Sequence, residues 1–112
     1  MTERSQGDQR YKADAGKPRW SLIPVGALRQ ILAVLEFGAR KYEPRSWRVV
    51  PGARERYVES LLRHTQDLAE AVQERGIDAL LTPDPESGLP HLAAIGCNAL
   101  ILLDLATHRP DR

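Results

Sequence analysis

Apolar residues recur at helical spacing in three long segments, and this pattern restricts the fold more than any other feature. The segments cover about residues 24–41, 53–74 and 89–107. Positions three or four residues apart lie on one face of an α-helix, so each segment has an apolar stripe to bury. No stretch alternates with period two over enough residues to indicate a sheet. The sequence therefore predicts an all-α fold, a helical bundle of about three main helices with an extended N-terminal arm.

The third segment is apolar on most of its circumference, which predicts a central buried helix or an interface helix. Its run from Leu92 to Ala106 is interrupted by Asn98 and Asp104 and is too short to span a bilayer, so no membrane association is expected. His91 and Asn98 are seven residues apart and share a helical face. They could form a polar stripe inside the bundle.

The length of 112 residues corresponds to one domain. Residues 1–10 are polar and predict a disordered leader, so the domain is expected to cover residues 11–108. Residues 11–24 are punctuated by Gly16, Pro18 and Pro24 and predict an extended arm with turns.

The N-terminus lacks the apolar stretch of a signal peptide, which favours a cytoplasmic protein. The lone Cys97 lies in an apolar run and is expected to be a small core residue.

A polar loop from Gly38 to Arg48 separates the first two predicted helices. It holds four cations and two aromatic residues, Tyr42 and Trp47. Cations suit phosphate, and an indole or phenol offers a flat face for a base or sugar. The alternative is a solvated basic loop whose Trp seals the edge of the core. A net charge of +1 argues against a dedicated duplex-DNA binder, so no stable nucleic-acid binding is expected.

Acidic residues share one face of the second predicted helix. Glu59, Arg63, Asp67 and Glu70 follow each other at three- and four-residue spacing. Two carboxylates one turn apart can hold a magnesium ion, which prefers oxygen ligands and keeps waters for phosphates. The alternative is a solvated face laced by ion pairs within the helix.

A second acidic cluster lies in the turn before the third helix. Asp84, Glu86 and His91 fall within a Pro- and Gly-bounded stretch, so two carboxylates and an imidazole converge there. Alternatively, Asp84 or Ser87 caps the third helix and Glu86 occupies its favourable first turn. His64 and His91 could also be metal ligands. The sequence has no HExxH motif and no cysteine ligand set, which argues against a zinc protease.

The N-terminal arm adds two lysines, Lys12 and Lys17, with Gly16 between them. They could close over phosphates, or they could belong to a flexible basic arm.

Taken together, these motifs resemble the phage dATP/dGTP diphosphohydrolases, a family similar to the MazG- and HisE-like all-α nucleotide pyrophosphohydrolases. The resemblance covers roughly residues 11–103. The matching motifs are Lys12-x-Asp14-x-Gly16-Lys17, Leu22-x-Pro24, Gly38-Ala39-x-Lys41-Tyr42 with a following Trp47-Arg48, Arg56-Tyr57, Arg63-His64, and Asp84-Pro85-Glu86-Ser87-Gly88-x-x-His91-Leu92.

This resemblance implies hydrolysis of purine deoxynucleoside triphosphates to a monophosphate and pyrophosphate, with Mg²⁺ or Mn²⁺, usually within a homo-oligomer such as a dimer or tetramer. The chain has Ala71-Val72 where family members commonly carry Gly-Glu, so Glu70 or Glu74 could stand in as a metal-binding acid. The expected catalytic residues are Glu59, His64, Glu86 and His91. The expected nucleotide-binding residues are Lys12, Lys17, Lys41, Tyr42, Trp47 and Arg63. The expected metal-binding residues are Glu59, Glu70, Asp84 and Glu86.

A rival hypothesis is a non-catalytic helical module that binds a nucleotide or another protein. It would keep the cations and aromatic residues but would not need a coordinated set of acids. The two hypotheses differ in whether acids of the second helix and of the 84–86 turn approach within metal-bridging distance.

Overall fold

A computed structural model describes residues 8–108 and shows three α-helices joined by short turns. The helices are α1 (Val25–Lys41), α2 (Ala53–Arg75) and α3 (His91–Thr107). Single 3-10 turns cover Trp20–Leu22, Ser46–Arg48 and Ile77–Leu81. Between residues 8 and 108 the only β-type pairing is an isolated bridge between Pro83 and Pro90. The all-α prediction is confirmed. The leader predicted for residues 1–10 lies, for its first seven residues, outside the described part.

Local sequence explains where the helices begin and end. Pro24 directly precedes α1 and has extended backbone angles. Proline is tolerated at the start of a helix, because the N–H that it lacks would have no partner within the helix there. Helix α2 ends at Gly76, whose φ of 89° and ψ of −179° are open essentially to glycine alone.

Helix α3 is the centre of the molecule. It packs against both α1 and α2 and carries most of the buried residues of the described chain. Those on α3 are His91, Ala93, Ala94, Cys97, Asn98 and Ile101. At the contact with α1, a Cβ built on Gly96 would lie 2.9 Å from Cδ1 of Ile31, so the absent side chain permits the close approach. The predicted central position of this helix is confirmed.

A tight turn leads into α3 and holds the second acidic cluster. The Gly88 N–H donates to the Asp84 carbonyl at 2.8 Å, and the Asp84 N–H donates to the Leu89 carbonyl at 2.8 Å. The residue before α3 is Pro90, and no side chain caps the helix. Asp84 Oδ2 instead accepts the Ser87 N–H at 3.1 Å, inside the turn. The interpretation of Asp84 or Ser87 as a helix cap is therefore wrong, because the turn places both residues too early.

The single chain leaves much apolar surface uncovered. Its radius of gyration is 18.1 Å, against roughly 13 Å for a compact domain of this length. Among the described residues, no large side chain has less than 2% of its surface exposed. Within the same part of the chain, none of the helices combines the length and the apolar character needed to cross a membrane.

Candidate nucleotide site

Two histidines and an aspartate meet where α2, α3 and the preceding turn come together. His64 lies in the middle of α2, His91 is the first residue of α3, and Asp84 belongs to the turn. One ligand atom from each side chain lies within 4.8 Å of the other two. The Nδ1 atoms of His64 and His91 are 2.8 Å apart, and only 4% of His91 is exposed. The sequence predicted that Asp84, Glu86 and His91 converge, but the group contains His64 of α2 in place of Glu86.

The surroundings favour the neutral form of His64. Burial lowers the pKa of His64, and the nearby His91 ring lowers it further, while the carboxylates of Asp84 and Asp67 act in the opposite direction. The short contact between the two Nδ1 atoms requires that one ring donates and the other accepts. At least one ring nitrogen therefore keeps a lone pair directed into the cluster.

A broad groove of about 780 Å³ lies along the outer face of α2. Three cations line it: Lys41 from the end of α1, and Arg56 and Arg63 from α2. The two arginines are seven residues apart, so they project from the same helical face. Guanidinium and ammonium groups arranged along one groove match the spaced negative charges of a polyphosphate.

A smaller cavity of about 180 Å³ adjoins the groove and reaches between the helices. Tyr42, Tyr57 and Ser60 line both spaces, so the two are direct neighbours. The deeper wall includes Trp47, His64 and Asn98. Aromatic faces with a few polar groups are typical of a small-molecule site.

The polar groups at the bottom of the cavity are held by facing helices. Asn98 of α3 donates from Nδ2 to Oγ of Ser60 on α2 at 3.2 Å. Asn98 is only 6% exposed, and the predicted polar stripe of His91 and Asn98 inside the bundle is confirmed. Burial raises the pKa of Tyr57, so its hydroxyl stays protonated and can donate a hydrogen bond.

The Trp47 side chain lines the cavity and also contacts α3. Its Nε1 donates to Oδ2 of Asp104 at 3.4 Å, which holds the half-buried indole against α3. The same carboxylate lies 3.6 Å from Nε of Arg48. The indole thus lines the cavity and also packs on α3, a position compatible with either of the roles considered for it.

Lys41 and Glu86 form an ion pair that joins the end of α1 to the turn before α3. The Glu86 carboxylate is the main cause of a raised pKa of Lys41, and the Tyr42 side chain contributes. Both side chains remain substantially exposed, at 40% and 60%. The pair brings a predicted phosphate-binding cation and a predicted metal-binding acid together at the edge of the groove.

The other predicted site residues lie on exposed surface. Glu59 is exposed on α2 between Arg56 and Arg63, whereas Glu70 is exposed farther along α2 and accepts a hydrogen bond from Gln66 at 2.9 Å. Neither joins Asp84 in the group of possible metal ligands found among residues 8–108, and Glu86 is also outside it. The four predicted metal-binding acids are therefore not gathered into one cluster.

Two further predicted residues, Lys12 and Lys17, are exposed in the N-terminal arm. They line neither the groove nor the cavity.

Three polar residues of the site, Arg56, Ser60 and Asn98, were not among the predicted site residues. Ser60 and His64 are one turn apart on α2, and His91 and Asn98 are two turns apart on α3. Matching these two polar stripes across the helix pair would have indicated the cavity. Cys97, in contrast, is 5% exposed with a pKa raised to about 11 by burial, which confirms it as a core residue.

The fold and the site define an all-α helical protein with a cation-lined groove beside an aromatic cavity. The comparisons with known proteins specify the family. A family model described as dATP/dGTP diphosphohydrolase, N-terminal, matches residues 7–112, and the chain belongs to this family. No curated protein and no solved structure matches the chain.

Proposed function

We propose that this protein hydrolyses dATP and dGTP to the monophosphate and pyrophosphate. The observation that carries the proposal is a cation-lined groove directly beside an aromatic cavity, in a chain of the dATP/dGTP diphosphohydrolase family. The groove offers charges for a triphosphate, and the cavity offers flat faces and hydrogen-bonding groups for a base. A nucleotide has both parts in one molecule.

In this proposal the triphosphate lies along α2. Arg56 and Arg63 contact phosphate oxygens, and Lys41 exchanges its Glu86 partner for a phosphate. The exposed Lys41–Glu86 pair is easily given up, because solvent-exposed ion pairs contribute little stability. Release of Glu86 leaves a carboxylate free at the groove, where a divalent cation arrives with the nucleotide.

The base occupies the cavity. Trp47 and Tyr42 provide aromatic faces, and the Asn98 amide and Ser60 hydroxyl provide hydrogen-bonding groups beside them. Amide and hydroxyl groups at the bottom of the cavity suit the polar edge of a purine.

Magnesium or manganese is proposed to enter with the triphosphate. The acids of this chain do not form a closed all-oxygen site for it, since Asp84 groups with histidines and Glu59, Glu70 and Glu86 do not join that group in the described chain. Mg²⁺ is commonly held by only one or two carboxylates together with substrate phosphates. The proposed carboxylates are Glu86, which pairs with Lys41 of the groove, and Glu59, which lies on α2 between Arg56 and Arg63. Glu70 lies about two helical turns beyond Arg63.

Hydrolysis to the monophosphate and pyrophosphate requires a water molecule to attack the α- or the β-phosphorus. The P–O bond that joins these two phosphates breaks, and the water oxygen ends on the phosphorus that it attacked. The same two carboxylates, Glu59 and Glu86, are proposed to orient this water and to accept its proton, and the cations of the groove stabilise the charge that develops on phosphate oxygens. His64 lies where the cavity meets the histidine cluster and is proposed to position the phosphates together with His91.

The arrangement of the acids also favours a second candidate, a nucleotide-binding module without catalysis. Acids of α2 and of the 84–86 turn do not form a metal-binding group within residues 8–108. Such a module would bind the triphosphate through the same cations and would release no product.

Glu86→Gln distinguishes the two candidates. The substitution removes a charge at nearly constant shape, so turnover of dGTP with Mg²⁺ should fall by about 100-fold, within the range typical of losing a general base. Binding measured by calorimetry with a non-hydrolysable analogue should remain. The matched control is Glu36→Gln, an exposed acid of α1 that lines neither the groove nor the cavity. Unchanged turnover in Glu86→Gln would remove Glu86 from the reaction, and wild-type binding without turnover would establish the binding module.

We also propose that the chain forms a homo-oligomer, a dimer or tetramer. Support comes from the apolar side chains of α1 and α3 that a single chain leaves exposed, among them Val25, Leu32 and Leu103.

A further inference from the structure

We propose that His64, Asp84 and His91 form a binding site for a first-row transition-metal ion, Zn²⁺ or Co²⁺ rather than Mg²⁺. The site is separate from the cation that accompanies the nucleotide. The proposal rests on the positions of three side chains and is independent of the proposed hydrolysis.

The geometry is close to that of a metal site. Two nitrogen ligands of a tetrahedral zinc ion, each at about 2.05 Å, lie roughly 3.3 Å apart. The Nδ1 atoms of His64 and His91 are 2.8 Å apart, so a separation of the rings by roughly 0.5 Å would admit the ion. A ligand atom of Asp84 lies within 4.8 Å of one atom from each histidine. Three potential ligand atoms therefore lie close together.

The ligand types select the metal. Imidazole nitrogen suits zinc, cobalt, nickel and copper, whereas Mg²⁺ prefers an octahedral shell of oxygens. Two histidines and one carboxylate also leave a fourth position open, which is the arrangement of catalytic rather than structural zinc sites. His64 also lines the cavity, so the metal site would lie beside the proposed nucleotide site.

The local structure holds the ligands in place before an ion binds. Oδ2 of Asp84 accepts the Ser87 N–H at 3.1 Å, and the turn is closed by the Gly88 N–H. Gly88 has a φ of 75°, a left-handed conformation that favours glycine. His91 is buried, and its backbone N–H donates to the Thr82 carbonyl at 3.0 Å. Hydrogen bonds to a metal-binding carboxylate orient it and commonly support the site.

Cobalt titration of the metal-free protein tests this proposal. Co²⁺ gives visible ligand-field absorption when it is four-coordinate, so the expected result is one equivalent per chain and displacement by Zn²⁺ but not by excess Mg²⁺. His64→Gln and Asp84→Asn should each weaken Zn²⁺ binding by more than about tenfold, since losing even an outer partner of a metal ligand costs 10–100-fold. Circular dichroism confirms that both variants keep their helices.

His108→Ala is the matched control. His108 is exposed at the end of α3 and lies outside the three-residue group, so its loss should leave metal binding unchanged. Equal Zn²⁺ affinity in wild type and both site variants would overturn the proposal, as would loss of binding in His108→Ala alone. The titration contains no nucleotide, and turnover of dGTP is measured separately. Failure of the metal site therefore leaves the proposed hydrolase function open, and failure of hydrolysis leaves the metal site open.

Discussion

Trp47 is proposed to serve both base recognition and the stability of the fold. Its indole lines the cavity, and its N–H donates to Asp104 on α3. Trp47→Ala should reduce discrimination between purine and pyrimidine triphosphates by roughly 10- to 100-fold, because base stacking on an aromatic ring is worth about 1–3 kcal/mol. The same substitution should lower the free energy of unfolding by roughly 2 kcal/mol, somewhat less than for a fully buried tryptophan.

Trp20→Ala is the control for this prediction. Trp20 is 76% exposed in the N-terminal arm, so its removal should change neither base preference nor stability. Ligand titrations and urea denaturation of both variants separate the two effects. If Trp47→Ala is destabilised but keeps its affinity and base preference, the indole belongs to the core and the base binds elsewhere.

The residues of the site could be predicted from sequence only where their signal is local. The buried stripe of His91 and Asn98 followed from helical spacing, because both lie on one helix. The Lys41–Glu86 pair and the meeting of His64, Asp84 and His91 depend on how separate elements pack, which no local pattern encodes. The shared helical face predicts that Glu59 and Glu70 bind a metal ion. In the structure both side chains are exposed, and neither lies in the group that contains Asp84.

At the scale of elements, the contact between α1 and α3 depends on a missing side chain. A Cβ at Gly96 would lie 2.9 Å from Cδ1 and 3.2 Å from Cγ1 of Ile31. Gly96→Leu should therefore separate the helices and lower the free energy of unfolding by about 1–3 kcal/mol, the usual effect of overpacking. Thermal or urea unfolding followed by circular dichroism measures the change.

Gly26→Leu provides the comparison. Gly26 lies near the start of α1, and a Cβ there would meet nothing within 4 Å. This variant should be as stable as the wild type or slightly more stable, because glycine is unfavourable in a helix by about 1 kcal/mol. A Gly96→Leu variant as stable as Gly26→Leu would mean that α1 does not pack closely on α3.

The helices themselves were predictable because their signals lie within each segment. Apolar spacing, Pro24 before α1 and Gly76 after α2 are local features, and the structure follows them. The sequence offers three possible starts for α3, since Asp84, Ser87 and Pro90 all carry helix-start signals. In the structure, the side chains of Asp84 and Ser87 accept hydrogen bonds from N–H groups inside the turn, so Pro90 is the residue that precedes the helix.

At the scale of the whole molecule, the uncovered apolar surface predicts self-association. Leu28 and Leu32 of α1 and Leu100 of α3 are 46%, 50% and 46% exposed and line one shallow groove whose only cation is Arg29. Stable interfaces bury about 800 Å² per partner, mostly apolar at the centre. Sedimentation equilibrium should show a dimer or tetramer at micromolar concentration.

The double variant Leu32→Glu, Leu100→Glu should shift this protein to monomer, because charges would be buried without partners at the interface. Val49→Glu is the control, since Val49 is 80% exposed and lies outside the groove. A wild-type monomer, or a double variant that associates as strongly as Val49→Glu, would contradict an interface on α1 and α3.

The central proposal is that this protein hydrolyses dATP and dGTP to the monophosphate and pyrophosphate. Product analysis by anion-exchange chromatography, after incubation of the wild type with each of the eight common nucleoside triphosphates and Mg²⁺ or Mn²⁺, tests it most directly. We expect deoxynucleoside monophosphate and pyrophosphate in equal amounts from dATP and dGTP, with much less product from the pyrimidine nucleotides. Diphosphate and inorganic phosphate as products, equal cleavage of all eight substrates, or no cleavage by folded protein would contradict it.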